Sequence, residues 1–176
     1  MMGLYGISFR LPQIVTDFSN QNLWHTGLLT IIPYGVAAIG MIVVEHSSDQ
    51  RNERAWHVAL SSLTGCAGLM LSALNNANLP LALLGLSLAS VGILSTLSVL
   101  WSLPTAFLSG TAAAGGLALI NAYGNLAGYL SPVLVAWIKT ATGDFTNALY
   151  LLALWLLVTA AIVLIKFRTP DWDSTL

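Results

Sequence analysis

Apolar residues run through this chain in long blocks, interrupted at irregular intervals by short clusters of Asn, Asp, Pro and charged side chains. The longest run, residues 55 to 138, holds 84 consecutive positions without Asp, Glu, Lys or Arg. A helix rises about 1.5 Å per residue, so crossing a hydrocarbon layer of roughly 30 Å takes about 20 mostly apolar residues. On that basis the pattern predicts six spans: Gly3 to Thr16, Thr26 to Val44, His57 to Leu74, Leu79 to Trp101, Ala112 to Ile138 and Thr146 to Ile165. The first is too short, with about 14 residues. The segments between them are Asp17 to His25, Glu45 to Trp56, Asn75 to Asn78, Ser102 to Thr111 and Lys139 to Phe145, which carry most of the turn formers. Lipid offers no partner to unpaired backbone N–H and C=O groups, so every span is expected to be helical. The expected fold class is all-α, a polytopic membrane helical bundle.

Composition agrees with a lipid surrounding. Charged residues make up 7% of the chain, against roughly 25% in an average soluble domain, and the mean hydropathy is +0.78. A net charge of -1 leaves no basic surface for nucleic acid. The single cysteine, Cys66, excludes an intramolecular disulfide and a thiolate metal cluster, and reads as a small packing residue. No charge precedes Arg10, so the chain opens without the basic region of a signal peptide. No metal site and no cofactor are expected.

Basic residues are retained on the cytoplasmic side during insertion. Arg51 and Arg54 lie between spans two and three, and Lys166 and Arg168 follow span six, on the same side by the count of crossings. Lys139 falls on the opposite side. Both termini are therefore expected in the cytoplasm, with the chain in the cell inner membrane.

Few polar positions are left to carry specificity. The stretch Glu45 to His57 concentrates five formal charges between two spans. It reads either as a solvated turn or as a conformational latch, in which Asp49, Arg51 and Arg54 reach across to helix ends. Asn121 and Asn125 are four residues apart on one helical face. Their amides either bond between helices or face an aqueous cavity, where they suit a carboxylate or hydroxyl. Ser95, Ser98 and Ser102 form a polar stripe with Trp101 beside it; serines in membrane helices often bond their own backbone, and Trp101 near a span end suits an interfacial anchor. Gly124, Gly128 and Pro132 make a smooth strip for a neighbouring helix. Tyr5 and Tyr34 are weaker cavity candidates. His25, His46 and His57 stand at span ends without an acidic partner inside the membrane, and Ser109-Gly110 lacks a nearby base, so no enzyme is expected.

The run Ser47-Ser48-Asp49-Gln50-Arg51-Asn52-Glu53-Arg54-Ala55-Trp56-His57 resembles the loop between spans eight and nine of major facilitator superfamily transporters, in particular the anion:cation symporter family. In order along the chain, Gly3 to Phe9 with Leu11 to Ile14 resembles that family's span seven. Leu103 to Ala113 resembles the junction of spans ten and eleven, and Ala118 to Gly128 with Pro132 resembles span eleven. The resemblance reaches about Arg168 and is closest to bacterial tartrate, phthalate and sugar-acid transporters. Residues 1–168 then correspond to a C-terminal six-helix half with a shortened first span, and 169–176 to a cytoplasmic tail. The resemblance implies proton symport of a small organic anion, with Ser98, Trp101 and Asn121 at substrate-contacting positions. Asn125 and Tyr5 are placed beside them.

Four positions depart from the family pattern. Glu45 and Gln50 replace the usual Gly and Arg around the Ser-Asp pair, and Ala55 replaces a basic residue. Arg10 stands where Trp is common; it either binds an anionic substrate or reflects lost constraint. The half the chain resembles lacks the acidic and basic residues that the first half usually supplies. The product therefore reads as a fragment whose partner is the missing half or another copy. The alternatives are a non-transporting membrane interaction protein and an inactive remnant.

Overall fold

The computed structural model describes residues 1–18, 23–51, 53–75, 77–107 and 110–167; at 9–10, 13–14, 17–18, 23, 103–107, 110–112 and 167 it describes the backbone alone. Arg168 and the 169–176 tail lie outside the described residues. Six helices follow one another: α1 (Met2–Phe18), α2 (Leu23–Arg51), α3 (Arg54–Leu74), α4 (Leu79–Phe107), α5 (Gly110–Thr142) and α6 (Thr146–Phe167). Among the described residues, four segments are both long and apolar enough to cross a membrane: Trp24–Arg51, Arg54–Leu74, Leu79–Ser102 and Thr146–Lys166. α1 has only 17 residues. α5 has 33 residues, but its glycines, tyrosines, Asn121 and Asn125 dilute its apolar character.

The helices outrun the apolar blocks that predict them. Glu45 to Arg51, expected in a loop, continues α2, so only positions 52 and 53 separate α2 from α3. Likewise α4 reaches Phe107 and α5 starts at Gly110, inside the expected Ser102 to Thr111 connection. Hydropathy marks where lipid ends, whereas a helix stops only where backbone partners or geometry fail. The polar end of α2 keeps its ladder and adds a one-turn contact between Gln50 Nε2 and His46 Nε2 at 2.9 Å.

True stops carry local chemistry. Asn75 closes α3, its backbone N–H and its side-chain amide both donating to the Leu71 carbonyl. Asn78 Oδ1 accepts from the Leu81 N–H at the start of α4. Gly143 ends α5 with φ 74°, a left-handed conformation that costs glycine little, and its N–H donates to Lys139 O. Asp144 then accepts from the Phe145 N–H and the Thr146 hydroxyl, while Lys139 Nζ sits 4.1 Å from the Phe145 ring centre.

α3 is the hub, packed most extensively on α4 and α6, and α4 in turn carries α2. The α3–α4 crossing brings backbone against backbone. A Cβ on Gly92 would stand 2.2 Å from Gly65 N, and one on Gly68 would stand 2.3 Å from Ala89 N. Small residues permit this approach where helix association depends on close packing rather than on expulsion of water. The buried hydroxyls of Ser62 and Thr96 bond across the crossing at 3.1 Å. Around it Leu69, Leu86, Leu149 and Leu152 join Ile7 and Leu11 of α1 and Cys66 in a buried core. α1 wedges between α5 and the other helices, tied by the Ser131 hydroxyl, which donates to Met2 O at 2.7 Å.

Candidate functional site

The second half of α5 leans on α1 through its glycines. A Cβ on Gly128 would meet the Tyr5 ring at 2.5 Å, and one on Gly124 would meet Met1. That approach sets Tyr5 beside the amides of α5. Its hydroxyl lies 3.5 Å from Asn125 Oδ1 as a long hydrogen bond, and Asn125 Nδ2 donates to Asn121 Oδ1 at 3.2 Å. Three of the residues picked out from the sequence thus form one polar row, Tyr5, Asn125 and Asn121. Both asparagines are exposed on their helix face, so each keeps unused donor and acceptor capacity.

Trp101 of α4 closes the row. With Leu117, Ala118 and Asn121 it lines an open cavity of about 560 Å³. It also borders a second cavity of about 610 Å³, where Thr96, Tyr123, Trp155 and Thr159 interrupt an otherwise apolar wall between α1, α4, α5 and α6. The arrangement offers amides and an indole N–H beside aromatic and aliphatic surface. That combination suits a small molecule with polar and apolar parts.

Ser98 takes a different direction. Its hydroxyl crosses to α2 and donates to Glu45 Oε2 at 2.6 Å, and it lines neither cavity. Glu45 is the Ser98 partner that reading the sequence missed, because a carboxylate just beyond an apolar block was assigned to a loop. α2 runs on from Glu45 to Arg51, about two turns beyond the apolar block. Ser102 bonds its own backbone, at Val99 O. Tyr34 is half-buried, and together with Pro12, Thr26 and Thr30 it borders a shallow hollow between α1 and α2.

The charged stretch after span two is partly engaged. Arg54 Nη1 donates to Ser102 O on α4 at 2.7 Å, and its Nη2 lies 3.6 Å from Asp49 Oδ1. Asp49 is 60% exposed, so the ion pair adds little, while the bond to the α4 carbonyl joins α3 to α4. Ser47 and His57 bond at 3.1 Å and join α2 to α3. Arg51 is exposed and makes no hydrogen bond or ion pair among the described residues. The side chain of Arg10 lies outside the described residues, as does Ser109. Among the described residues, no group of three or more His, Cys, Asp or Glu side chains could hold a metal ion.

Long apolar helices, four of them long enough to cross a bilayer, define a multi-pass membrane protein with one polar row beside its cavities. Comparison with known proteins narrows the class. Over 167 residues the chain is 39% identical to a protein named as a tartrate transporter from Agrobacterium vitis, covering 95% of this chain and 37% of that one. It is 34% identical over 175 residues to a quinolone resistance transporter of Acinetobacter baumannii, covering 99% and 40% of the two chains. It is also 34% identical over 164 residues to the metabolite transport protein NicT of Pseudomonas putida, covering 93% and 38%. These relatives bear out the resemblance to major facilitator superfamily transporters, and the chain spans less than half the length of the relatives it matches. No family model matches it, and no solved structure gives a significant match.

Proposed function

We propose that the chain is the C-terminal six-helix half of a proton-coupled transporter of small organic anions, with hydroxy acids and sugar acids as its substrate class. The observation that carries this reading is the hydrogen-bonded row of Tyr5, Asn125 and Asn121 beside the Trp101 cavity. Amides and a phenol hydroxyl pair with the carboxylate and hydroxyls of such an acid without requiring a fixed charge. Ser98, one turn before Trp101 on the same helix, stands outside this row, its hydroxyl held by Glu45. Two-half transporters carry their substrate at the interface between halves, which rock about it to alternate access. On this reading the exposed side of α5 meets the other half, and the Arg54 bond to Ser102 O acts with Asp49 and Arg51 as the latch at the cytoplasmic end. Both termini lie in the cytoplasm of an inner-membrane protein, and α1 and α5 complete the six spans.

The test is uptake of labelled tartrate and galactonate in cells expressing this chain alone, and in cells that also express a matching six-span half from a relative. Saturable, proton-dependent uptake in either setting, abolished by Asn121→Ala, is the expected result. Uptake that Asn121→Ala leaves unchanged would overturn the proposed path. Absence of uptake in both settings would favour a membrane interaction protein.

A further inference from the structure

Among the described residues, the cavity of about 610 Å³ between α1, α4, α5 and α6 shares only Trp101 with the cavity beside Asn121. Leu126 and Leu130, on its α5 wall, point about 140° and 180° away from Asn121 around the helix. Leu97 and Leu100 of α4 and Leu156 of α6 continue the apolar wall. Its two threonines are already spent within the protein. The Thr96 hydroxyl bonds Ser62 at 3.1 Å, and the Thr159 hydroxyl donates to Trp155 O at 2.9 Å. A trapped water needs about two to four polar partners, so a wall of this kind holds hydrocarbon better than water. Leu126, Leu130 and Trp155 are exposed, and α5 touches α6 only sparsely, so the cavity is open to whatever surrounds the bundle. For helices of this length and apolarity that is lipid.

A cation stands at the matching depth. Trp155, Thr159, Ile162 and Lys166 follow one another at helical spacing and form one stripe on α6, along which Trp155, Ile162 and Lys166 are exposed. From Trp155 to Lys166 is eleven residues, about 16 Å of helix. One leaflet of hydrocarbon is about 15 Å deep, half of a layer of roughly 30 Å. An acyl chain that ends in the cavity therefore has its headgroup level with Lys166. Lys166 forms no ion pair among the described residues, which leaves its ammonium to a phosphate. We propose that the cavity holds one acyl chain of an anionic phospholipid, with the lipid phosphate on Lys166. The site is separate from the proposed solute path and stands whether or not the chain transports. Hydrocarbon burial retains the lipid, and the ammonium selects its headgroup, as basic pockets between membrane helices do.

The experiment is native mass spectrometry of the full chain, released from nanodiscs made with equal parts of phosphatidylglycerol and phosphatidylcholine carrying the same oleoyl chains. The wild type is expected to retain one lipid, with phosphatidylglycerol favoured about fivefold, the usual worth of one basic side chain at an anionic surface. Lys166→Gln should keep a lipid but lose the preference, while Lys166→Arg should keep both. Ala127→Phe fills the cavity from α5 and should cut retention of both lipids at least about tenfold, the worth of two buried methylenes. Leu97→Trp fills it from α4 and should do the same, which guards against one variant failing to fold. A preference that survives Lys166→Gln overturns the headgroup site, and retention that survives both filling variants overturns the cavity site. No retained lipid on the wild type overturns the whole proposal. So does loss of the lipid when a matching six-span half from a relative is co-expressed, which would give this face to that partner.

Discussion

The α3–α4 crossing and the α1–α5 contact are made from the same small residues, yet they do opposite work. At the crossing, Gly68, Gly85 and Gly92 set backbone on backbone, where an added Cβ would find atoms that cannot move aside. At the contact, Gly124 and Gly128 face the side chains of Met1 and Tyr5, which can swing away. The Ser62 and Thr96 hydroxyls of the crossing are buried and bonded to each other, whereas the amides of α5 are exposed and keep capacity to spare. One region is a fixed frame, and the other presents chemistry.

Substitutions should separate the two, the largest effect falling on the frame. Gly92→Val puts a branched side chain against Gly65 N and Ser61 O. It is expected to cost about 3 kcal/mol or more, beyond the usual range for overpacking, because backbone resists. Loss of folded protein in detergent, or a steep fall in its unfolding midpoint, is the measurement; near-wild-type stability would break the comparison. Ser62→Ala removes the buried partner of Thr96 and should cost roughly 0.6 to 1.7 kcal/mol in the same assay, the span measured for hydrogen bonds between membrane helices.

Gly128→Ala tests the other region. The new methyl displaces the Tyr5 ring and should cost about 1 kcal/mol of stability, at the low end for overpacking, but it should also disturb the Tyr5 and Asn125 row. Smallest in stability is Asn121→Ala, expected within about 0.5 kcal/mol because the residue is exposed on its helix, while uptake is lost. An Asn121→Ala protein as unstable as Gly92→Val would place α5 in the frame instead. At the cytoplasmic end, Asp49→Asn should change stability by less than about 1 kcal/mol, since its pairing with Arg54 is largely solvated.

Much of this was legible in the chain. The uncharged run from 55 to 138 already implied lipid, and the spacing of Asn121 and Asn125 already put two amides on one face. The helix ends at Asn75 and Gly143 sit where turn formers stand between apolar blocks. Helix length was less legible, because polarity at Glu45 to Arg51 reports the surrounding solvent and says nothing about whether the backbone ladder stops. Ser98 and Trp101 looked like one stripe. Three residues of helix leave the two side chains about 60° apart and most of a turn along the axis, and at the junction of neighbouring helices that offset takes one to Glu45 on α2 and the other to the cavity beside Asn121.

The sequence alone determined the solvent, the helical class and the short roll of polar residues able to recognise a solute, because those follow from composition and from the cost of unpaired backbone in lipid. Tertiary structure decided which of them act together. The glycines of α5 had to admit Tyr5 before the two amides gained a third member, and the overrun of α2 had to bring Glu45 level with Ser98 before the two could bond. Both outcomes depend on distances between helices, which packing sets and residue order along one helix does not.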